Sequence, residues 1–269
     1  MSSTTARDGD LLDEVGATVV MGEASPASEM AARRAGRTGR APWVAPGTVA
    51  VFSDVGCPFA TLALHRFRTA RERLGATDRV RLDLHSFLLE DVNREPTPKQ
   101  RLTAEVEMLA DLAPEVGWRA WEGSAGTWPV SMLLPNEAVQ AAKQQSPLAA
   151  EELDWALRMA FFRDCRCITM RDVVEDVASG CPHVDVPRLM RELDDGTWRG
   201  AMWEDHRSHR GMVQASPHFF AADGWDVVNP GMELGSPGDD GVPPVRSDDP
   251  AIFETIVASA ASSVRPVSL

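Results

Sequence analysis

One stretch constrains the fold of this 269-residue chain more than any other: Thr48-Val-Ala-Val-Phe-Ser53, followed by Asp54-Val-Gly-Cys57-Pro58. A short, continuously apolar run is the pattern of a strand buried on both faces. Pro58 suits the first position of a helix, where its missing N–H costs nothing. Phe59, Leu62, Ala63, Phe67, Ala70 and Leu74 recur at helical spacing, and Gly75 is a natural stop. Arg79-Val-Arg-Leu-Asp-Leu-His85 alternates with period two and reads as a second strand. Strand, helix and strand in this order predict a parallel β-α-β unit with Cys57 in the loop at the helix start.

The chain changes character after this unit. From Pro98 to about Arg210 the pattern is mostly helical. Leu102, Val106, Leu109 and Ala110 form one stripe, Glu137–Gln145 a second helix, and Leu153, Leu157, Ala160 and Phe161 a third. Thr169-Met-Arg-Asp172 has the form of a capping box opening a fourth. Asp185-Val-Pro-Arg opens a fifth, with Leu189 and Leu193 facing in, and a sixth spans Thr197 to His209. Trp118–Pro129, with three tryptophans, reads as an irregular loop that could line an apolar substrate cavity.

Sheet signals return at Ser216-Pro-His-Phe-Phe-Ala221, with a turn at Asp223-Gly224 and a returning strand at Trp225–Val228. Residues 235–248 are rich in Gly, Pro and Asp and read as a loop. Asp249-Pro250 caps a final helix with Ile252, Ile256, Val257 and Ala260 inside. Residues 1–46 carry clustered Ala, Arg, Gly, Ser and Pro; they read as a mostly disordered tail in which Leu11–Met21 could form one short element.

These elements group as an α/β domain over residues 47–95 and 212–269, interrupted by helices over 96–211. The order is that of a thioredoxin-like fold with a large helical insertion. Four pieces resemble the DsbA family, in particular its FrnE-like cytoplasmic branch. They are Phe52-Ser-Asp-Val-Gly-Cys-Pro-Phe59, Asn136-Glu-Ala-Val-Gln-Ala-Ala-Lys143, Ala156-Leu-Arg-Met-Ala-Phe-Phe162 and Val213-Gln-Ala-Ser-Pro-His-Phe-Phe220. The resemblance covers roughly residues 46–265. It implies that Cys57 is the nucleophilic first cysteine of a Cys-Pro-X-Cys motif and that Pro217 is the cis-proline beside its sulfur. The fourth motif position is Ala60, so the resolving cysteine is absent.

The formal net charge of −13 speaks against nucleic-acid binding, where a basic footprint is expected. No apolar run approaches the roughly 20 residues of a membrane helix. The start Met1-Ser2-Ser3-Thr4 leads into acidic residues rather than an export signal, which predicts a cytoplasmic protein. The four cysteines (Cys57, Cys165, Cys167, Cys181) are then free thiols. Cys165-x-Cys167 and Cys181-x-His183 match no usual structural-zinc spacing, so no metal is expected.

Only a thiolate is a good sulfur nucleophile, and a free cysteine with a pKa of about 8.5 carries little of it at neutral pH. A helix N-terminus offers unpaired N–H groups and about half a positive charge, which favour the thiolate at Cys57. Around this catalytic residue the thiol-binding candidates are Ser53, Asp54, Pro58, Phe59, Ser216, Pro217 and His218. Asp54 is also a candidate acid/base, and neutral His218 a proton acceptor for an incoming thiol.

Three functions fit one motif cysteine. The first is a DsbA-type thiol-disulfide oxidoreductase working through Cys57 and a small thiol. The second is a small-thiol-dependent isomerase or transferase on a small aromatic metabolite. The third is a non-catalytic binding protein on the same fold. No tightly bound cofactor is expected. Glutathione or mycothiol is the candidate thiol, the partner is a small-molecule thiol or disulfide, and a homodimer is left open.

Overall fold

The computed structural model describes residues 41–239 and 241–264. Strand β1 (Thr48–Ser53), helix α1 (Pro58–Arg73) and strand β2 (Arg81–Ser86) form the β-α-β unit, with β1 and β2 parallel. Strand β3 (His218–Ala221) pairs antiparallel with β1, and β4 (Asp226–Val228) pairs antiparallel with β3, giving the order β2-β1-β3-β4. The β3–β4 turn contains Gly224 at φ 88°, a left-handed conformation that favours glycine.

Strand alternation sorts the core into two layers. Val49 and Val51 of β1 share the main apolar cluster with Leu62 and Phe67 of α1 and Phe253 of the last helix. Ala50 and Phe52 turn the other way and pack with Phe87, Val213 and Phe220. Val44 belongs to this second cluster and is buried, so the expected disordered tail does not reach residue 46. The rest of that tail, including Leu11–Met21, lies outside the described residues.

Between β2 and β3 run α2 (Leu89–Asn93), α3 (Lys99–Leu112), α4 (Leu133–Lys143), α5 (Pro147–Phe162), α6 (Arg171–Ser179), α7 (Val186–Asp194) and α8 (Arg199–His209). The short α2 has no counterpart in the sequence pattern. Asp185 caps α7 by accepting from Arg188 N–H, as its position predicts. The Thr169 capping box does not form. Met170 is the cap residue of α6, and the Thr169 hydroxyl pairs with Cys167 Sγ at 3.3 Å. Residues 235–248 are not all loop: β5 (Met232–Leu234) pairs antiparallel with β6 (Val245–Asp248). Strands this short, one of them Val-Arg-Ser-Asp, carry too little alternation to be read. The final helix is α9 (Ile252–Ser262), and Asp249 Oδ1 accepts from Ala251 N–H at its start.

The apolar core runs without a break from the sheet and α1 into Leu109, Leu153, Leu157 and Ile168 of the helical block. The block also closes the β2 edge, a row of backbone groups that must find partners. Buried Glu151 of α5 accepts from Leu82 N–H at 2.8 Å, while Gln140 and Lys143 of α4 donate to the Leu84 carbonyl at 3.2 and 2.8 Å. Arg71 of α1 pairs with Glu151 at 2.7 Å, so the charge brought to the edge is compensated. Among the described residues no helix is long and apolar enough to cross a membrane.

Candidate active site

Cys57 is the N-cap of α1, and its Sγ accepts from Ala60 N–H at 3.5 Å. The same Sγ donates to the Ser216 carbonyl at 3.1 Å across 159 residues of sequence. The Ser216–Pro217 peptide is cis. Ser216 Oγ accepts from Asp54 N–H at 3.0 Å, so the two loops are joined at two points.

The Cys57 loop is held from below by the helical block. Arg158 of α5 is fully buried. Its Nη1 donates to the carbonyls of Asp54 at 3.0 Å and Val55 at 3.3 Å, its Nη2 to Ser53 Oγ at 3.0 Å, and its Nε to Asp154 at 2.8 Å. Asn136 of α4 accepts from Val55 N–H at 3.3 Å and donates to Asp54 Oδ1 at 3.2 Å. Gly56 completes the turn; a Cβ there would lie 2.7 Å from the Met132 side chain.

The Asp54 carboxylate is buried and accepts from Gly56 N–H at 2.8 Å and Leu89 N–H at 3.0 Å. Burial raises its pKa, and these hydrogen bonds oppose the rise. Burial likewise pushes the Cys57 thiol up to about 11; contacts with Ser216 and Ala60 N–H offset only part of this, and the Glu105 charge adds to it. The resting sulfur is therefore a neutral thiol, and in the free protein desolvation outweighs the helix N-terminus.

A cleft of about 420 Å³ opens over this sulfur, between the Cys57 loop, the α2–α3 segment and the Ser216 loop. Asp54, Cys57, Pro58, Phe59 and Ser216 line it, together with Glu105 of α3. Burial pushes the Glu105 carboxyl up to about 7, against the pull of Arg101.

Three expected thiol contacts, Ser53, Pro217 and His218, do not line the cleft. Ser53 Oγ is taken by Arg158, beneath the loop. The His218 ring is buried, accepts from Gln214 N–H at 3.3 Å and meets Asp226 at 3.1 Å. Strand alternation turns it onto the sheet rather than toward Cys57. Pro217 precedes β3 and is not among the residues lining the cleft. The tryptophans are not at the cleft either. Trp118 is buried with its Nε1 on the Ala113 carbonyl, and Trp121 and Trp128 pack on Phe161.

No family model and no curated protein matches the sequence. Solved structures do. A probable DsbA oxidoreductase from Streptomyces coelicolor superposes with a TM-score of 0.57 at 16% identity, over 82% of this chain and 93% of the other. The cytosolic disulfide reductase DsbM from Pseudomonas aeruginosa, solved with glutathione, gives 0.52 at 13% identity, over 80% and 96%. The chain has the DsbA-like thioredoxin fold. Arg158 and Asn136 hold the Cys57 loop, and residue patterns did not single them out. Both lie inside the stretches 156–162 and 136–143 that carry the family resemblance. The only local signal is a charged or amide residue on the apolar face of a helix.

Proposed function

We propose that this protein is a thiol-disulfide oxidoreductase that works through Cys57 alone and is turned over by a small thiol of the glutathione or mycothiol class. The observation that carries the reading is the Cys57 Sγ, capping α1 and facing the Ser216 carbonyl at the floor of a cleft.

The chemistry needs no second cysteine. Cys57–SH attacks a disulfide RS–SR′, forms Cys57–S–SR and releases R′SH, the Cys57 proton passing to the leaving sulfur. A small thiol R″SH then attacks the mixed disulfide, giving RS–SR″ and restoring Cys57–SH. Glu105 lines the same cleft, and its carboxyl, pushed up to about 7 by burial, has the proton affinity to take up and return that proton. The neighbouring folds described as an oxidoreductase and a disulfide reductase support this reaction class. Packing of the tryptophans away from the cleft removes one of the two features that favoured a reaction on an aromatic metabolite; the other, Ala60 in place of a second cysteine, is shared with the oxidoreductase reading.

The test is exchange with a small disulfide in the presence of glutathione or mycothiol, comparing the protein with Cys57→Ser. We expect the variant to lose the protein-dependent rate. Equal rates would overturn the proposal.

A further inference from the structure

A second cluster of titratable side chains sits on the sheet face opposite α1. Asp205 and His209 are four residues apart on α8 and so project from one face of it. His85 reaches them from the edge strand β2. His85 Nδ1 lies 2.9 Å from both Asp205 oxygens, and His209 Nδ1 lies 3.2 Å from Asp205 Oδ1. Ligand-capable atoms of the three residues all fall within 4.8 Å of one another.

The arrangement is anchored from behind. The His85 ring stacks on Phe52 at 4.4 Å. Its Nε2 lies 3.2 Å from Asp83 Oδ2 and is otherwise unpartnered. Asp83 is held by Lys143. An imidazole with one nitrogen toward a cation site and the other toward a carboxylate is how metal-bound histidines are oriented. Charge favours a cation too. Asp83 and Asp205 face one lysine, so with neutral imidazoles the group is one positive charge short. The side chains of His85, Asp205 and His209 are 13%, 21% and 19% exposed, so an ion can enter from solvent and keep a water ligand.

We propose that His85, Asp205 and His209 form a site for one divalent transition-metal ion of the zinc class, oriented by Asp83. Two imidazoles and a carboxylate are a donor set for Zn²⁺, Co²⁺ or Ni²⁺ rather than Ca²⁺ or Mg²⁺. Bound there, the ion clips the last helix of the helical block to the sheet edge. The site is independent of the Cys57 reaction.

The test is titration of the chelator-treated protein with Co²⁺, followed by visible absorption, and with Zn²⁺, followed by thermal unfolding. We expect one Co²⁺ per chain with d–d bands, and a rise in Tm with Zn²⁺. His209→Ala and Asp205→Asn should each abolish both, with circular dichroism checking that the variants fold. Asp83→Asn should weaken binding about 10-fold or more. A response unchanged in both ligand variants, a thiolate-to-cobalt charge-transfer band, or no response in the parent protein would each overturn the assignment. In the last case a proton on His85 supplies the missing charge.

Discussion

Arg158 donates to the carbonyl oxygen of Asp54 at 3.0 Å, from a helix more than 100 residues further along the chain. The Cys57 loop and the helical block are thereby one mechanical unit. A guanidinium with five donors in a fixed fork can reach the Asp54 and Val55 carbonyls, Ser53 and Asp154 together; an ammonium cannot.

Replacing Arg158 with Met therefore leaves Asp154 buried without its cation. Loss of one partner of a buried pair costs about 3–5 kcal/mol. Denaturant unfolding should show a destabilisation of that order, and Arg158→Lys should recover only part of it. Wild-type stability for the Met variant would show that the loop is held by other contacts.

The Cys57 thiol is raised by burial, to about 11, so its thiolate should be scarce at neutral pH. With Cys165, Cys167 and Cys181 replaced by Ser, the alkylation rate of the free protein should keep climbing beyond pH 9. An inflection below pH 8 would mean that the helix N-terminus wins over desolvation. If saturating disulfide or thiol substrate leaves exchange undetectable as well, the proposed oxidoreductase activity is overturned.

Glu105 titrates at about 7 in the folded chain against 4.5 for an unperturbed glutamate. A raised carboxyl binds its proton more tightly when folded, so its contribution to stability is present at low pH and is lost as pH rises from about 4.5 through 7. Glu105→Gln should remove this slope, matching the parent near pH 4 and exceeding it by about 1–3 kcal/mol near pH 8. Denaturant midpoints across that range test it. The same variant should lower the Cys57 alkylation midpoint, because the Glu105 charge helps hold the thiol up.

Ala60 stands on the first turn of α1, with its N–H on Cys57 Sγ. Ala60→Cys should supply a resolving thiol. A mixed disulfide with a small thiol, detectable by mass spectrometry in the parent protein, should then disappear in favour of an intramolecular bond. Persistence of the mixed disulfide in the variant would contradict a resolving position at residue 60.

Much of this architecture is legible locally. The apolar run 48–53, Pro58 and Gly75 mark β1 and α1 because burial and backbone chemistry act within a few residues. Asp185 and Asp249 announce their helices for the same reason. What is illegible is long-range. Nothing near Arg158 says that its partners lie at 53–55, and nothing near His218 says that Asp226 and Gln214 N–H already hold it. The raised Cys57 pKa is of this kind too: the N-cap position is local, but the desolvation comes from elements far away in sequence.

The covered β2 edge limits what the chain tolerates. Glu151, Gln140 and Lys143 occupy the sites that a strand from another molecule would need at Leu82 and Leu84. Trimming the protein back to its minimal β-α-β and hairpin core would strip these side chains away and bare an adhesive rim of unpaired amides. Such a miniature should self-associate through β2, so the helical block is also the part that keeps the sheet from recruiting strangers.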